Sequence, residues 1–323
     1  VSTLVFIEHH GGQLHKGSLG VLTKAISLGF DDVAALLIGG EEVQGLAAEA
    51  AGFGAATVHV AIAASLESPL PQPRVDVIAD VVRNGGYDTI LFSNSVLVAD
   101  IAAGLSARLD AGVNWDLTDI EAVNGQLVGK RLALGDSVLV EVGWRSEQRV
   151  AVFRSGSFDA VEAPVAEPRI DNLTVDCQDH SLRATMVEHR EQLDEGPSLE
   201  DAEVIVAGGM GLGGAENFVL AEQLAIALGG AVGATRAAVY AGWRPHSFQI
   251  GQTGKTVAPR LYVALGISGA IQHKVGMQRS KVVIAINKDP GAPIFEVSDL
   301  AVVGDALEIV PKLTKLVEER RRP

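Results

Sequence analysis

Between Gln249 and His273 the chain reads QIGQTGKTVAPRLYVALGISGAIQH. Two glycine-rich turns that carry hydroxyls, Gly251-Gln252-Thr253-Gly254 and Gly266-Ile267-Ser268-Gly269, flank an apolar strand, Leu261–Leu265. His273 follows at the start of a predicted helix. Glycines let backbone N–H groups come close to a ligand, and a strand feeding a helix N-terminus forms an anion site. Thr253, Ser268 and His273 add side-chain hydrogen bonds to what the backbone offers.

Several residues and motifs are open to two readings each. Gly209-x-Gly211-x-x-Gly214 fits the dinucleotide fingerprint, with a strand before it and a helix after. The acidic residue expected about 20 positions on is missing; Thr235 and Arg236 stand there, so a tight turn into a helix explains the glycines equally well. Gly251-Gln252-Thr253-Gly254-Lys255-Thr256 imitates the end of a P-loop, but Gln249 occupies the place of that motif's first glycine. A nucleoside triphosphatase is therefore disfavoured against a solvated turn. Standing alone, Arg236 reads as a surface arginine and His273 as a structural histidine as readily as a ligand contact. His9, His10 and His15 with Glu8 follow a strand in a turn, lack an i,i+4 helical pair and have no second cluster, which argues against a metal site.

The segments GGMGLGGAENF (Gly208–Phe218), VGATRAAVYAGW (Val232–Trp243), QIGQTGKTVAP (Gln249–Pro259), LYVALGISGAIQHKVGM (Leu261–Met277) and VVIAINKDPGAPIFEVSDLAVVGD (Val282–Asp305) resemble, in this order, the C-terminal domain of the electron transfer flavoprotein alpha subunit. The N-terminal half resembles that family in layout only. The resemblance implies one non-covalent FAD. It places the Thr253 hydroxyl near flavin N5, with Gln249, Ile250, Gly251, Gln252 and Gly254 around it. His273, after Gly269, Ala270, Ile271 and Gln272, is implied to donate to O2 of the isoalloxazine, and Arg236 to set its guanidinium against the ring. A cation there favours the reduced, negatively charged ring over the neutral oxidised one. Thr235 and Ser268 resemble the phosphate-side hydroxyls, and Asn287 and Asp305 the ribose and adenine contacts. Many family members carry arginine where this chain has Met210, so backbone N–H groups, Lys255 or another cation must do more for the pyrophosphate.

What the resemblance implies about function is electron carriage rather than catalysis on a substrate of its own. Electrons would come from primary dehydrogenases such as acyl-CoA dehydrogenases and pass to a membrane quinone reductase. The chain would work as a heterodimer with a beta subunit that holds AMP or a second FAD. Two alternatives are a subunit of an electron-bifurcating, NADH-oxidising complex and a nucleotide-binding subunit without a redox role.

Composition agrees with a two-domain globular chain: 323 residues, 47% hydrophobic and 20% charged. A net charge of −14 argues against nucleic acid and suits docking to basic protein surfaces. A single cysteine, Cys177, rules out an internal disulfide. No apolar run approaches the ~18 residues of a membrane span, so no membrane insertion is expected. The start, Val1 to Ile7, is strand-like rather than a signal or transit sequence. The expected location is the bacterial cytoplasm, or the mitochondrial matrix if a presequence has been removed.

The elements that must position these residues follow a strand–helix alternation, which predicts α/β architecture. The expected fold is an N-terminal doubly wound parallel sheet without a cofactor (residues 1–195) and a C-terminal Rossmann-like FAD-binding domain (196–323). Strands are predicted at Thr3–Glu8, Asp32–Ile38, Thr57–Ala61 and Thr89–Phe92, and helices at Gly17–Leu28, Glu41–Ala51, Val75–Arg83 and Ala99–Leu109. The prolines 69, 71 and 73 mark a loop. Thr118–Ala122, Gln126–Arg131, Ser137–Val142 and Arg149–Phe153 read as hairpins closing the first domain. Val161–Arg190 reads as surface chain, and Gly196-Pro197-Ser198 as the linker. The second domain is predicted to run Glu203–Ala207, helix Ala215–Leu228, then strands at Ala231–Gly233, Leu261–Leu265, Lys281–Ile286 and Leu300–Val303, and helix Ala306–Arg322.

Overall fold

The computed structural model describes residues 2–30, 32–134, 138–188, 198–199 and 202–321. The chain divides into two compact units, Val1–Arg190 and Glu191–Pro323. The expected division between 195 and 196, and the expected linker apart from Ser198, lie outside the described residues.

In chain order the first unit runs β1 (Ser2–Phe6), the hairpin β2 (His9–His10) and β3 (Gln13–Leu14), α1 (Lys16–Ser27), β4 (Asp32–Gly39), α2 (Val43–Ala51), β5 (Thr57–Ile62), α3 (Pro71–Gly85), β6 (Thr89–Ser93), α4 (Val96–Leu109), β7 (Gly112–Val123), β8 (Gln126–Ala133), β9 (Val138–Val142), β10 (Arg149–Phe153) and β11 (Arg169–Leu173). Its sheet has nine strands in the order β11-β5-β4-β1-β6-β10-β7-β8-β9. Pairing is parallel from β11 to β7 and antiparallel from β7 to β9.

The first unit is therefore a mixed sheet, mainly parallel as expected, with the antiparallel strands β7, β8 and β9 at one edge. Central strands such as β1 are apolar on both faces. Leu4 and Phe6 join one buried layer with α3 and α4, while Val5 and Ile7 join the other with α1 and α2. Two local expectations change. β10 does not form a hairpin but inserts in parallel between β6 and β7. Pro71 starts α3 instead of sitting in a loop, because proline costs nothing at a helix's first position, where its missing N–H has no partner to lose.

The second unit runs β12 (Val204–Gly208), α5 (Phe218–Leu228), β13 (Ala231–Thr235), α6 (Arg236–Tyr240), β14 (Gln249–Ile250), β15 (Leu261–Leu265), α7 (Ile271–Met277), β16 (Val282–Asn287), β17 (Leu300–Val303) and α8 (Ala306–Arg321). Six strands in the order β14-β13-β12-β15-β16-β17 pair in parallel throughout. Alternate residues again feed two layers: Ile205, Ala207, Tyr262 and Ala264 face α7's side, and Val206, Val263 and Leu265 face α5 and α8. From β12 the chain first builds outward to β13 and β14, then returns to β15 on the other side. The order reverses between β12 and β15, and ligands of open α/β sheets bind in the crevice beyond the carboxyl ends of the strands at such a point.

Candidate cofactor site

The loops that leave β12 and β15 cross in direct backbone contact. Gly209 N–H donates to the Leu265 carbonyl at 2.9 Å and Gly211 N–H to the Gly266 carbonyl at 2.8 Å. A Cβ on Gly211 would lie 2.7 Å from the Gly266 Cα, and one on Gly266 (φ +60°) would lie 2.6 Å from the Gly211 carbonyl carbon. Only glycine fits on either side of this crossing. Above it opens a cavity of about 670 Å³, lined from the carboxyl ends of β12, β13, β14, β15 and β16. That volume lies within the roughly 300–1,000 Å³ of ligand sites.

Residues Gln249 to Thr253 form one wall. The turn is held by Gly251 N–H to the Lys255 carbonyl at 3.1 Å, Lys255 N–H to the Gln249 carbonyl at 2.7 Å, and Gln252 N–H to the Gln272 carbonyl at 2.8 Å. Gly251 has φ +144°, and a Cβ there would meet the Gln272 carbonyl oxygen at 2.8 Å. Gln249 Nε2 donates to Thr253 Oγ1 at 3.1 Å. The Thr253 hydroxyl thus accepts from inside the protein and keeps its own hydrogen to donate. Gln249 is buried, lines the cavity, and its Oε1 has no hydrogen-bond partner. A buried unpaired acceptor is costly, so this atom asks for a ligand donor.

His273 also lines the cavity, but its ring is committed elsewhere. Nδ1 is 3.0 Å from the Ile250 carbonyl oxygen and Nε2 is 3.0 Å from the Tyr262 hydroxyl. Burial drives its pKa down to about 4, against a smaller upward pull from the Ile250 carbonyl. The neutral ring must carry its hydrogen on Nδ1, because a carbonyl can only accept, and Nε2 then accepts from Tyr262. Tyr262 is fully buried, which pushes its phenol far above the usual range and keeps it a donor. Donation from His273 to a flavin oxygen, as expected, would require one of these two bonds to give way. Both nitrogens are used, and the histidine fixes Ile250 and the turn that follows it.

Thr235 ends β13 and caps α6, its Oγ1 accepting from Ala238 N–H at 3.4 Å. Arg236 opens that helix and reaches the cavity. Among the described residues it is the one cationic side chain in the lining, and Asp289, with which it forms no ion pair, is the one acidic side chain. Lys255 is not in the lining, and Met210 lines it half-exposed. Ser268 lines the cavity and is exposed. Asn287 lines it as well but braces the loops, donating through Nδ2 to the Ile267 carbonyl at 2.8 Å and accepting at Oδ1 from Asp289 N–H at 3.0 Å.

Ala270 and Gln272 complete the predicted residues found in the lining. Four stand outside it. Gly254 and Gly269 are structural: an added Cβ would collide with the Gln249 carbonyl oxygen and the Ile294 backbone nitrogen. Ile271 points to solvent at 70% exposure. Asp305, expected at a ribose, accepts from Leu307 N–H at 2.9 Å through one carboxylate oxygen and pairs with Lys288 at 2.9 Å through the other. Lining residues not anticipated include Tyr240 and Asp289. The i,i+4 spacing of Tyr240 from Arg236 was the available signal for the first.

In the first unit, His10 Nε2 pairs with the buried Glu8 at 3.1 Å and His9 Nε2 contacts the Ile38 carbonyl at 3.0 Å. Among the described residues no group of side chains is placed to hold a metal ion.

Residues 198–278 match the family described as "Electron transfer flavoprotein FAD-binding domain", and residues 3–176 match "Electron transfer flavoprotein domain". The chain is 40% identical to the electron transfer flavoprotein subunit alpha of Mycobacterium leprae (strain TN), over 98% of each chain. It is 39% identical to the mitochondrial electron transfer flavoprotein subunit alpha of Oryza sativa subsp. indica, over 99% of this chain and 92% of that one. Protein FixB of Clostridium saccharobutylicum is 38% identical over 98% of this chain and 96% of its own length.

Proposed function

The chain belongs to the electron transfer flavoprotein alpha subunit family, and from that premise we propose that its second unit holds one FAD, non-covalently, in the cavity at the β12/β15 crossing. It is an electron carrier without a substrate of its own. The observation that carries the placement is the buried, unpaired Gln249 Oε1 beside a Thr253 hydroxyl that is free to donate. Together they offer an acceptor and a donor to the polar edge of an isoalloxazine.

Bound FAD supplies one- and two-electron transfer. The protein residues orient the ring and set its electrostatics. Gln249, Ile250, Gly251, Gln252 and Thr253 form the ring wall, which His273 holds in place through Ile250. Arg236 supplies positive charge. The Gly211/Gly266 crossing, where no side chain fits, would hold the diphosphate, with the Thr235 and Ser268 hydroxyls as further donors. Asn287 and Asp305 mark the adenosine end.

The partner is a beta subunit carrying AMP or a second FAD, contacted by the first unit. That unit exposes Val138 and Leu139 on its edge strand β9, apolar surface that a partner would cover. Donors are primary dehydrogenases such as acyl-CoA dehydrogenases, as in fatty acid oxidation, and the acceptor is a membrane quinone reductase. No helix among the described residues is long and apolar enough to cross a membrane, so the chain meets that acceptor as a docking partner. The place of action is the bacterial cytoplasm or the mitochondrial matrix. Co-expression with the beta subunit tests the reading. The purified complex should reduce completely with a catalytic amount of acyl-CoA dehydrogenase plus its substrate, and no reduction by any acyl-CoA dehydrogenase would remove this donor class.

A further inference from the structure

We propose that Tyr240 is a positioning residue, whose ring holds the Arg236 guanidinium at the cavity without an acidic counter-ion, so that the cation's whole charge acts on the bound cofactor. The proposal rests on the FAD reading above. Helix α6 is five residues long, and Arg236 and Tyr240 are its first and last. Residues four apart share one helical face. The Arg236 Cζ lies 4.8 Å from the centre of the Tyr240 ring, and Nη2 lies 3.3 Å from the phenol oxygen, to which it donates. Both side chains line the cavity.

Tyr240 is 71% exposed, so its ring serves no core. Arg236 forms no ion pair among the described residues. Nearby Arg244 shows the other solution: it stacks 4.6 Å over Phe218 and is also paired with Glu222. A carboxylate at position 240 would reach Arg236 equally well but would cancel its charge. An aromatic ring attracts a guanidinium through its quadrupole and stacks on its plane while adding no net charge. Because Arg236 is the one cation in the lining, where its guanidinium rests decides the field over the site.

The test uses the flavin-loaded heterodimer and reads the flavin midpoint potential by equilibration with a reference dye, alongside FAD content. Tyr240→Phe keeps the ring and should keep the potential. Tyr240→Ala should lower the one-electron equilibrium roughly two- to fivefold, about 20–40 mV, the scale of an exposed cation–π contact. Tyr240→Asp, which retains a helical partner for Arg236 but neutralises it, should lower the potential at least as far. In an Arg236→Ala background, Tyr240→Ala should shift nothing. An unchanged potential in the Ala variant, or an Ala shift that survives intact without Arg236, overturns the proposal while the cofactor reading stands. A wild-type heterodimer without flavin overturns both.

Discussion

The Tyr262 hydroxyl, on β15, donates to Nε2 of the buried His273, on α7, at 3.0 Å. With Nδ1 bound to the Ile250 carbonyl, the imidazole is clamped from both sides in its neutral form. Its pKa falls from 6.5 to about 4, chiefly through burial. The unfolded chain therefore binds more protons than the native one between these values. Stability from this group is complete above about pH 6.5 and is lost as pH falls toward 4, by on the order of 3 kcal/mol. Denaturant unfolding of wild type and His273→Gln across that window should show a steeper acid loss in wild type. Parallel curves would mean that His273 is not buried as a neutral ring.

Tyr262→Phe removes the donor to Nε2 and little else, since the ring still fills its place against Ala207 and Ile205 in the core. A buried acceptor without a partner costs roughly 1–3 kcal/mol. The loss is readable by the denaturant midpoint. A stability loss below about 0.5 kcal/mol, the scale of a neutral surface change, would contradict the clamp.

Gly211→Ala should damage the site more than any side-chain truncation in it. The new Cβ meets the Gly266 backbone, which cannot move without shifting β15's exit loop. Strain of this kind costs about 1–3 kcal/mol, and the Gly211 N–H to Gly266 bond is lost with it. The expected result is reduced FAD content and a lower unfolding midpoint. A variant that retains full FAD content and wild-type stability would show that the crossing is looser than drawn.

Much of the second unit was legible because its strands are short apolar runs between glycine-rich turns, and β15 and β17 start and stop where those turns predict. In the first unit β11 was missed. Arg169, Asp171 and Asn172 give it no apolar alternation, and its pairing with β5 comes from tertiary context. The Gln249–Thr253 wall of the cavity was legible as a glycine motif, yet the hydrogen bonds of His273 were not. Its controlling partners, Tyr262 and the Ile250 carbonyl, come from a neighbouring strand and a turn, and only folding brings them within hydrogen-bond distance. The partners of Asp305, Lys288 and the Leu307 N–H, are likewise set by where β17 meets α8.

Arg236→Ala should lower the oxidised-to-reduced flavin potential. Two unit charges about 4 Å apart interact by about 4 kcal/mol at an effective dielectric of 20, and delocalisation with water replacement reduces this to roughly 1–3 kcal/mol. For one electron that is on the order of 40–130 mV. Arg236→Lys should recover only part, since an ammonium neither stacks on Tyr240 nor presents a planar face. A potential unmoved in the Ala variant would remove Arg236 from the tuning of this flavin.

The claim that this chain's cavity holds FAD is tested most directly by the visible spectrum of the chain co-expressed with its beta subunit, followed by acid denaturation. The account predicts a yellow complex with flavin absorption, FAD released intact by acid, and loss of that FAD in the Gly211→Ala complex. A colourless wild-type complex, a flavin that stays attached to the denatured protein, or undiminished FAD in the Gly211→Ala complex would contradict it.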